Sequence, residues 1–194
     1  EPMPFNEAAK LGTQKVIQDH STIGVVITTD GSISDLSREA YIEAEAEVID
    51  ELQSIGKPFI IIVNSADVHS MACNAVVEKL KEKYNVPVLA IRANQLSEAD
   101  IHNLLREALY EFPVSEININ MPKWVAVLND DHWLKQSFNE TIANSMASVE
   151  KLREVENIAA ILAENEYIDG SNLATIDAGS GCVAVDISIR NGLY

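Results

Sequence analysis

Three short polar stretches carry the residue types that could do chemistry. Asn64-Ser65-Ala66-Asp67 follows the run Pro58 to Val63, Arg92-Ala93-Asn94-Gln95 follows Val86 to Ile91, and Thr29-Asp30-Gly31-Ser32 follows Ile23 to Thr28. The runs are apolar and largely β-branched, without the alternation of a half-exposed strand, as in the interior of a parallel sheet. Parallel strands deliver their carboxyl ends to one side, and in an open α/β sheet that side holds the ligand crevice. Asn64, Ser65 and Asp67 therefore stand where a ligand would be read. Asn64 and Asp67 have a second possible use, capping their own loop and the helix that follows.

Other chemistries lack their residues. No Gly-x-x-x-x-Gly-Lys-Ser/Thr phosphate loop is present, and neither is a Gly-x-Ser-x-Gly elbow, a His-Glu-x-x-His pair or a Cys-x-x-Cys. His20, His69, His102 and His132 have no partners at metal-ligand spacing and read as surface or capping residues. Asp130-Asp131 is explained more simply as a helix N-cap than as an acid/base pair. No residue is assigned a catalytic or metal-binding role.

The elements that must position the three stretches follow from periodicity. A helix opens at Phe5-Asn6, carries Ala9, Val16 and Ile17, and frays at Asp19-His20. Ile23 to Thr28 is a buried strand. Arg38 to Ile55 is a helix with Tyr41, Ala44, Val48, Leu52 and Ile55 on its apolar face, closed by Gly56. Ser70 caps a helix through Ala72, Val76 and Leu80 that ends on Lys79, Lys81 and Lys83. Ser97 with Asp100 forms a capping box for the helix carrying Ile101, Leu104, Leu105, Ala108 and Leu109. With Glu116 to Asn120 as a fourth strand, residues 1–120 read β-α-β-α-β-α-β, half of a doubly wound sheet. Residues 121–194 change pattern: helices through Leu134, Phe138 and Ile142 and from Val155 to Ala163, then a hairpin turning at Gly179-Ser180-Gly181. A hairpin is marginal alone, so this region is expected to open an α+β domain.

Composition narrows the partners. Fourteen Lys and Arg against thirty Asp and Glu give a net charge of −16, which argues against nucleic acid or an anionic membrane as a broad partner. Cys73 and Cys182 are far apart in the sequence and are expected as reduced thiols in a cytosolic protein. No apolar run approaches the ~20 residues of a membrane span. The chain starts at Glu1 and is expected to be a piece of a longer protein.

The strand ends are similar to those of translation-factor-type GTPases, which place Asn-Lys-x-Asp after one buried strand to read the base and a Ser-Ala pair after the next. Asn64-Ser65-Ala66-Asp67 and Ile91-Arg92-Ala93 occupy those places, with Ser65 for the Lys and Arg92 for the Ser. The runs Pro4 to Ala9, Lys15 to Gly31, Ala108 to Val114 and His132-Trp133-Leu134 resemble the stage IV sporulation protein A family, across essentially the whole chain. The resemblance implies a partial P-loop NTPase-like sheet, residues 1–120, as the second half of an ATPase domain, and residues 121–194 as the start of a middle domain. It implies ATP and Mg as cofactors, held with a phosphate loop upstream, and a base end lined by Asn64, Ser65, Asp67 and Ala93 with Arg92 and Asn94 beside them. It also implies self-polymerisation into the basement layer of the spore coat at the forespore surface in the mother cell. The implied partners are coat morphogenetic proteins and, through a further domain, a small amphipathic membrane-bound peptide. Two other readings stay open: an interaction module that binds no nucleotide, and a GTPase with drifted specificity.

Overall fold

The computed structural model describes residues 4, 12, 15–147, 149–190 and 192. The expected helix start at Phe5-Asn6 lies outside them; residues 15–20 are helical. The chain forms two units, Glu1–Ala108 and Leu109–Tyr194.

In the first unit, β1 (Gly24–Thr29), β2 (Phe59–Asn64) and β3 (Val88–Ile91) make a parallel sheet in the order β1-β2-β3. The connections are α1 (Glu39–Ile55) and α2 (Met71–Tyr84), and β3 runs through a short 3-10 turn, Ala93–Gln95, into α3 (Glu98–Tyr110). β2 is the central strand, and Ile60, Ile61 and Val63 have no exposed surface. Burial of each such side chain contributes roughly 1.5–3 kcal/mol. One face of the sheet packs Phe59, Ile61 and Val63 against Ile49 and Leu52 of α1 and Cys73, Val77 and Leu80 of α2.

Local signals set the boundaries. Gly56 ends α1 in the left-handed conformation, φ 71°, which a glycine adopts without a Cβ penalty. The Ser70 hydroxyl accepts from the Cys73 N–H at 3.1 Å, starting α2. The Ser97–Asp100 box starts α3: the Asp100 carboxylate accepts from the Ser97 N–H at 2.9 Å, and the Ser97 hydroxyl accepts from the Asp100 N–H at 3.1 Å.

Three expectations change here. The inner face of α1 is Glu45, Ile49 and Leu52, while Ala44 and Val48 are exposed. The apolar stripe misled because a carboxylate occupies an inward position, held by Arg38 Nη2 at 2.7 Å. β1 is not buried on both faces: Val25 is 44% and Ile27 68% exposed, because an edge strand has one face that no described element covers. β4 (Glu116–Asn120) does not extend the parallel sheet; it belongs to the second unit. The signal lay in its alternation. Ile117 and Ile119 face the second core, whereas Glu116, Asn118 and Asn120 are exposed, as in a sheet wet on one side.

The second unit adds α4 (Lys123–Val127), α5 (Trp133–Met146), a 3-10 turn at Leu152–Glu154, α6 (Val155–Ala163), β5 (Ile168–Asp177) and β6 (Cys182–Ile189). Its sheet is mixed, in the order β4-β6-β5, with β4 parallel and β5 antiparallel to β6. Val183, Val185 and Ile187, alternate residues of β6, point into a core with Leu134, Phe138, Ile158 and Leu162. His132, not Asp130 or Asp131, caps α5: its ring Nδ1 accepts from the Leu134 N–H at 3.2 Å, leaving the Asp130 carboxylate to Lys135 at 2.7 Å. The α/β class expected from the sequence is the one observed.

Candidate functional site

The carboxyl ends of the three parallel strands lie side by side, Thr29 paired with Asn64 and Asn64 with Ile91. Side chains then tie the three departing loops together. Asn64, half-buried at the end of β2, uses its carboxamide oxygen to accept from the Ala93 N–H at 3.0 Å. The Ser65 N–H donates to the Ile91 carbonyl at 2.9 Å, extending the ladder one residue past β2.

Ser65 itself has no exposed surface. Its Oγ lies 2.6 Å from Asp30 Oδ2 and 2.9 Å from the Asp67 carbonyl, and it accepts from the Asp67 N–H at 3.1 Å. A hydroxyl has one proton, and the carboxylate is the nearer and stronger acceptor. Ser32 closes the arrangement. Its Oγ donates to Asp30 Oδ1 at 2.5 Å and accepts from the Ala66 N–H at 2.9 Å, and its N–H donates to the same Asp30 oxygen at 3.0 Å. Asp30, Ser65, Ala66 and Ser32 thus form a closed ring of hydrogen bonds between the β1–α1 and β2–α2 loops. Gly31 permits the turn: its φ is +91°, and a Cβ there would meet the Arg38 nitrogen at 2.9 Å.

Electrostatics follow the ring. Burial pulls the Asp30 carboxyl upward, but hydrogen bonds from Ser32 and Ser65 outweigh it and hold it below the ordinary carboxylate value. Asp30 is therefore ionised near neutrality. Cys73, wholly buried behind Ser65, moves the other way: burial raises its thiol, the Ser65 hydrogen bond opposes this, and the negative Asp30 and Asp67 add to the rise. It is a neutral thiol, not an activated nucleophile.

The structure brings Asn64, Ser65 and Ala93 into one bonded array. Asp67 is exposed in the same loop, where its Oδ1 accepts from the His69 N–H at 3.1 Å, the loop-capping use open to it in the sequence. Asn64 likewise has a structural bond. Arg92 donates to Gln95 Oε1 at 3.0 Å within its own turn, and Asn94 is exposed. Neither makes a hydrogen bond to Asn64 or Asp67 among the described residues. The sequence places Asp30 and Ser32 at this sheet edge but gives neither a partner. The Asp-Gly-Ser spacing, which lets a carboxylate accept from the residue two positions on, was the available signal.

Among the described residues the Asn64 carboxamide nitrogen, Asp67 Oδ2 and the Asn94 carboxamide have no hydrogen-bond partner. No three His, Cys, Asp or Glu among the described residues are grouped to hold a metal ion. No helix among them is long and apolar enough to cross a membrane.

Comparison with known proteins adds to this geometry. The family model described as stage IV sporulation protein A, ATPase domain, matches residues 1–113, and the one described as stage IV sporulation protein A, middle domain, matches residues 114–194. The chain is 47% identical over its whole length to stage IV sporulation protein A of Bacillus subtilis (strain 168), covering 39% of that protein. It is 47% identical to the Bacillus anthracis protein of the same name, again covering 39% of it, and 38% identical to that of Clostridioides difficile (strain 630), covering 40%. The chain thus spans about two fifths of the length of these relatives. No solved structure matches it. The parallel sheet and its helices are consistent with a partial P-loop NTPase-like fold.

Proposed function

The chain belongs to the stage IV sporulation protein A family, and on that premise we propose that the rim at Asn64, Asp67 and Ala93 is the base end of an ATP site. The observation that carries the reading is Asn64. It ends the central strand of a domain matched to an ATPase family, ties two strand-end loops through its oxygen, and keeps its amide nitrogen for a ligand. An amide donor and the Asp67 carboxylate in one loop complement a purine, which offers ring-nitrogen acceptors and an exocyclic amine donor, at C6 in adenine and at C2 in guanine. Ser65 backs this rim, and Arg92 and Asn94 flank it.

Hydrolysis is assigned to a phosphate loop elsewhere in the full-length protein, since no Gly-x-x-x-x-Gly-Lys-Ser/Thr stands in residues 1–194. Magnesium would neutralise the phosphates there; the residues described above bind and orient the base. The proposal extends to the whole protein: ATP hydrolysis drives its self-assembly into the basement layer of the spore coat during sporulation. That places it in the mother-cell cytoplasm at the forespore surface, with coat morphogenetic proteins and a small amphipathic membrane-bound peptide as partners.

Titration of the full-length protein with fluorescent ATP and GTP analogues tests the site. Asp67→Ala should alter the ratio of the two affinities. Binding of both nucleotides with an unchanged ratio would refute base reading by Asp67.

A further inference from the structure

A side chain with no exposed surface does not touch a ligand resting on the rim, so what Ser65 does for the site it does through its neighbours. It has two that matter. Its hydroxyl donates to the Asp30 carboxylate at 2.6 Å and accepts from the Asp67 N–H at 3.1 Å. The first bond joins the β1–α1 loop to the β2–α2 loop; the second fixes the backbone from which the Asp67 carboxylate projects. Ser32, bonded to both Asp30 and the Ala66 N–H, makes the same connection a second time. A twice-made link between a half-buried carboxylate and the start of the Asp67 turn is more than β1 and β2 need to pair, since their ladder is already complete from Gly24↔Phe59 to Thr29↔Asn64.

We infer that Ser65 is a positioning residue for base recognition: anchored on Asp30, it aims the Asp67 carboxylate at the bound purine without contacting it. The inference rests on the reading of this rim as the base end of a nucleotide site. Asp30 serves as the fixed anion that keeps the Ser65 proton directed inward, so the Ser65 lone pairs face the Asp67 N–H. Without that anchor the hydroxyl can turn to the Asp67 carbonyl, 2.9 Å away, and the turn loses its set orientation.

The test uses the full-length protein, titrated with fluorescent ATP and GTP analogues, as wild type, Ser65→Ala, Asp30→Asn, the double variant and Asp67→Ala. Ser65→Ala should change the ratio of ATP to GTP affinity by on the order of tenfold, the scale of one hydrogen bond to a charged group. Asp30→Asn should change it in the same direction, and the double variant should fall short of the sum of the two single effects, because both remove the Ser65–Asp30 bond while Asp30→Asn also weakens the Ser32 link. Loss of both nucleotides to the same extent, or single effects that simply add, would make Ser65 a stabiliser of the fold and overturn the inference. If Asp67→Ala shifts the ratio and Ser65→Ala does not, the positioning role fails and the rim reading stands. If neither variant changes the binding of either nucleotide, the rim reading fails as well. Ser65→Cys, close in volume with a weaker donor, supplies the same ratio if the alanine variant does not fold, and an intermediate shift supports the role.

Discussion

The carboxamide oxygen of Asn64 accepts the backbone N–H of Ala93 at 3.0 Å, joining the end of β2 to the turn after β3 across 29 residues of sequence. Asn64→Ala removes that acceptor, but Ala93 is exposed and its N–H can turn to water, so the stability cost should be small, about 1 kcal/mol. The effect on binding should be larger and even-handed. The ring nitrogens facing an amide donor are shared by adenine and guanine, so ATP and GTP affinities should fall together, in contrast to Asp67→Ala. Parallel titrations of the two variants check this, and a change of ratio in Asn64→Ala would contradict the division of roles.

In the second unit, the Glu111 carboxylate is 2% exposed and lies between two cations, with Lys151 Nζ at 2.8 Å and the Arg153 guanidinium on its other oxygen. Around it Leu152 N–H donates to the Phe112 carbonyl and Val114 N–H to the Glu150 carbonyl, each at 3.0 Å. The charges staple the segment before β4 to the turn before α6. Glu111→Ala removes the anion from two cations that are each about a third exposed and can turn to water, so it should cost about 1.5 kcal/mol. Hydrogen exchange at the Leu152 and Val114 amides should accelerate roughly tenfold. Unchanged protection at these amides would show that the staple is not stabilising.

Much of the first unit was legible because its signals are local. The continuous apolar run of β2, the Ser70 cap, the Ser97–Asp100 box and Gly56 each act within a few residues of themselves. Strand ends identified in this way located Asn64, Asp67 and Ala93 at one edge. What could not be read was pairing at a distance. The sequence holds no mark that Ser65 turns inward to meet Asp30, 35 residues earlier, or that Glu45 faces the core because Arg38 neutralises it. β4 was misplaced for a related reason: succession along the chain outweighed an alternating pattern that matches β6, which lies more than sixty residues later.

Gly181 closes the β5–β6 turn with φ +72°, and a Cβ at that position would lie 2.7 Å from Ser115 Oγ and 2.9 Å from the Pro113 carbonyl. Backbone at Pro113 and Ser115 cannot retreat easily, since Ser115 N–H donates to the Gly181 carbonyl at 2.9 Å. Gly181→Ala combines left-handed backbone strain with a steric clash and should destabilise the unit by about 2 kcal/mol or more. Exchange at β6 amides should report the loss, and protection equal to wild type would show that the turn has room to adjust.

The Asp30 ring makes the first unit sensitive to pH on two sides, through groups that titrate in opposite senses. Asp30 binds its proton more weakly folded than unfolded, because hydrogen bonds from Ser32 and Ser65 outweigh its burial. Its contribution to stability is therefore present above the ordinary carboxylate value of 3.8 and lost as the pH falls through the lower folded value. Cys73 binds its proton more tightly in the fold, first through burial and then through the neighbouring Asp30 and Asp67 charges. Its contribution is complete below the ordinary thiol value of 9.0 and lost as the pH rises through the higher folded value. The Ala66 amide, which donates to Ser32 Oγ inside the ring, is the natural reporter. Its exchange protection, corrected for intrinsic rate, should hold level between these limits and fall beyond each. Asp30→Asn removes the titrating carboxylate and should flatten the acid side, while moving the alkaline fall to lower pH because the Asp30 charge helps to raise the Cys73 thiol; Cys73→Ala should flatten the alkaline side alone. An acid side that persists in Asp30→Asn would mean that another carboxylate governs this loop.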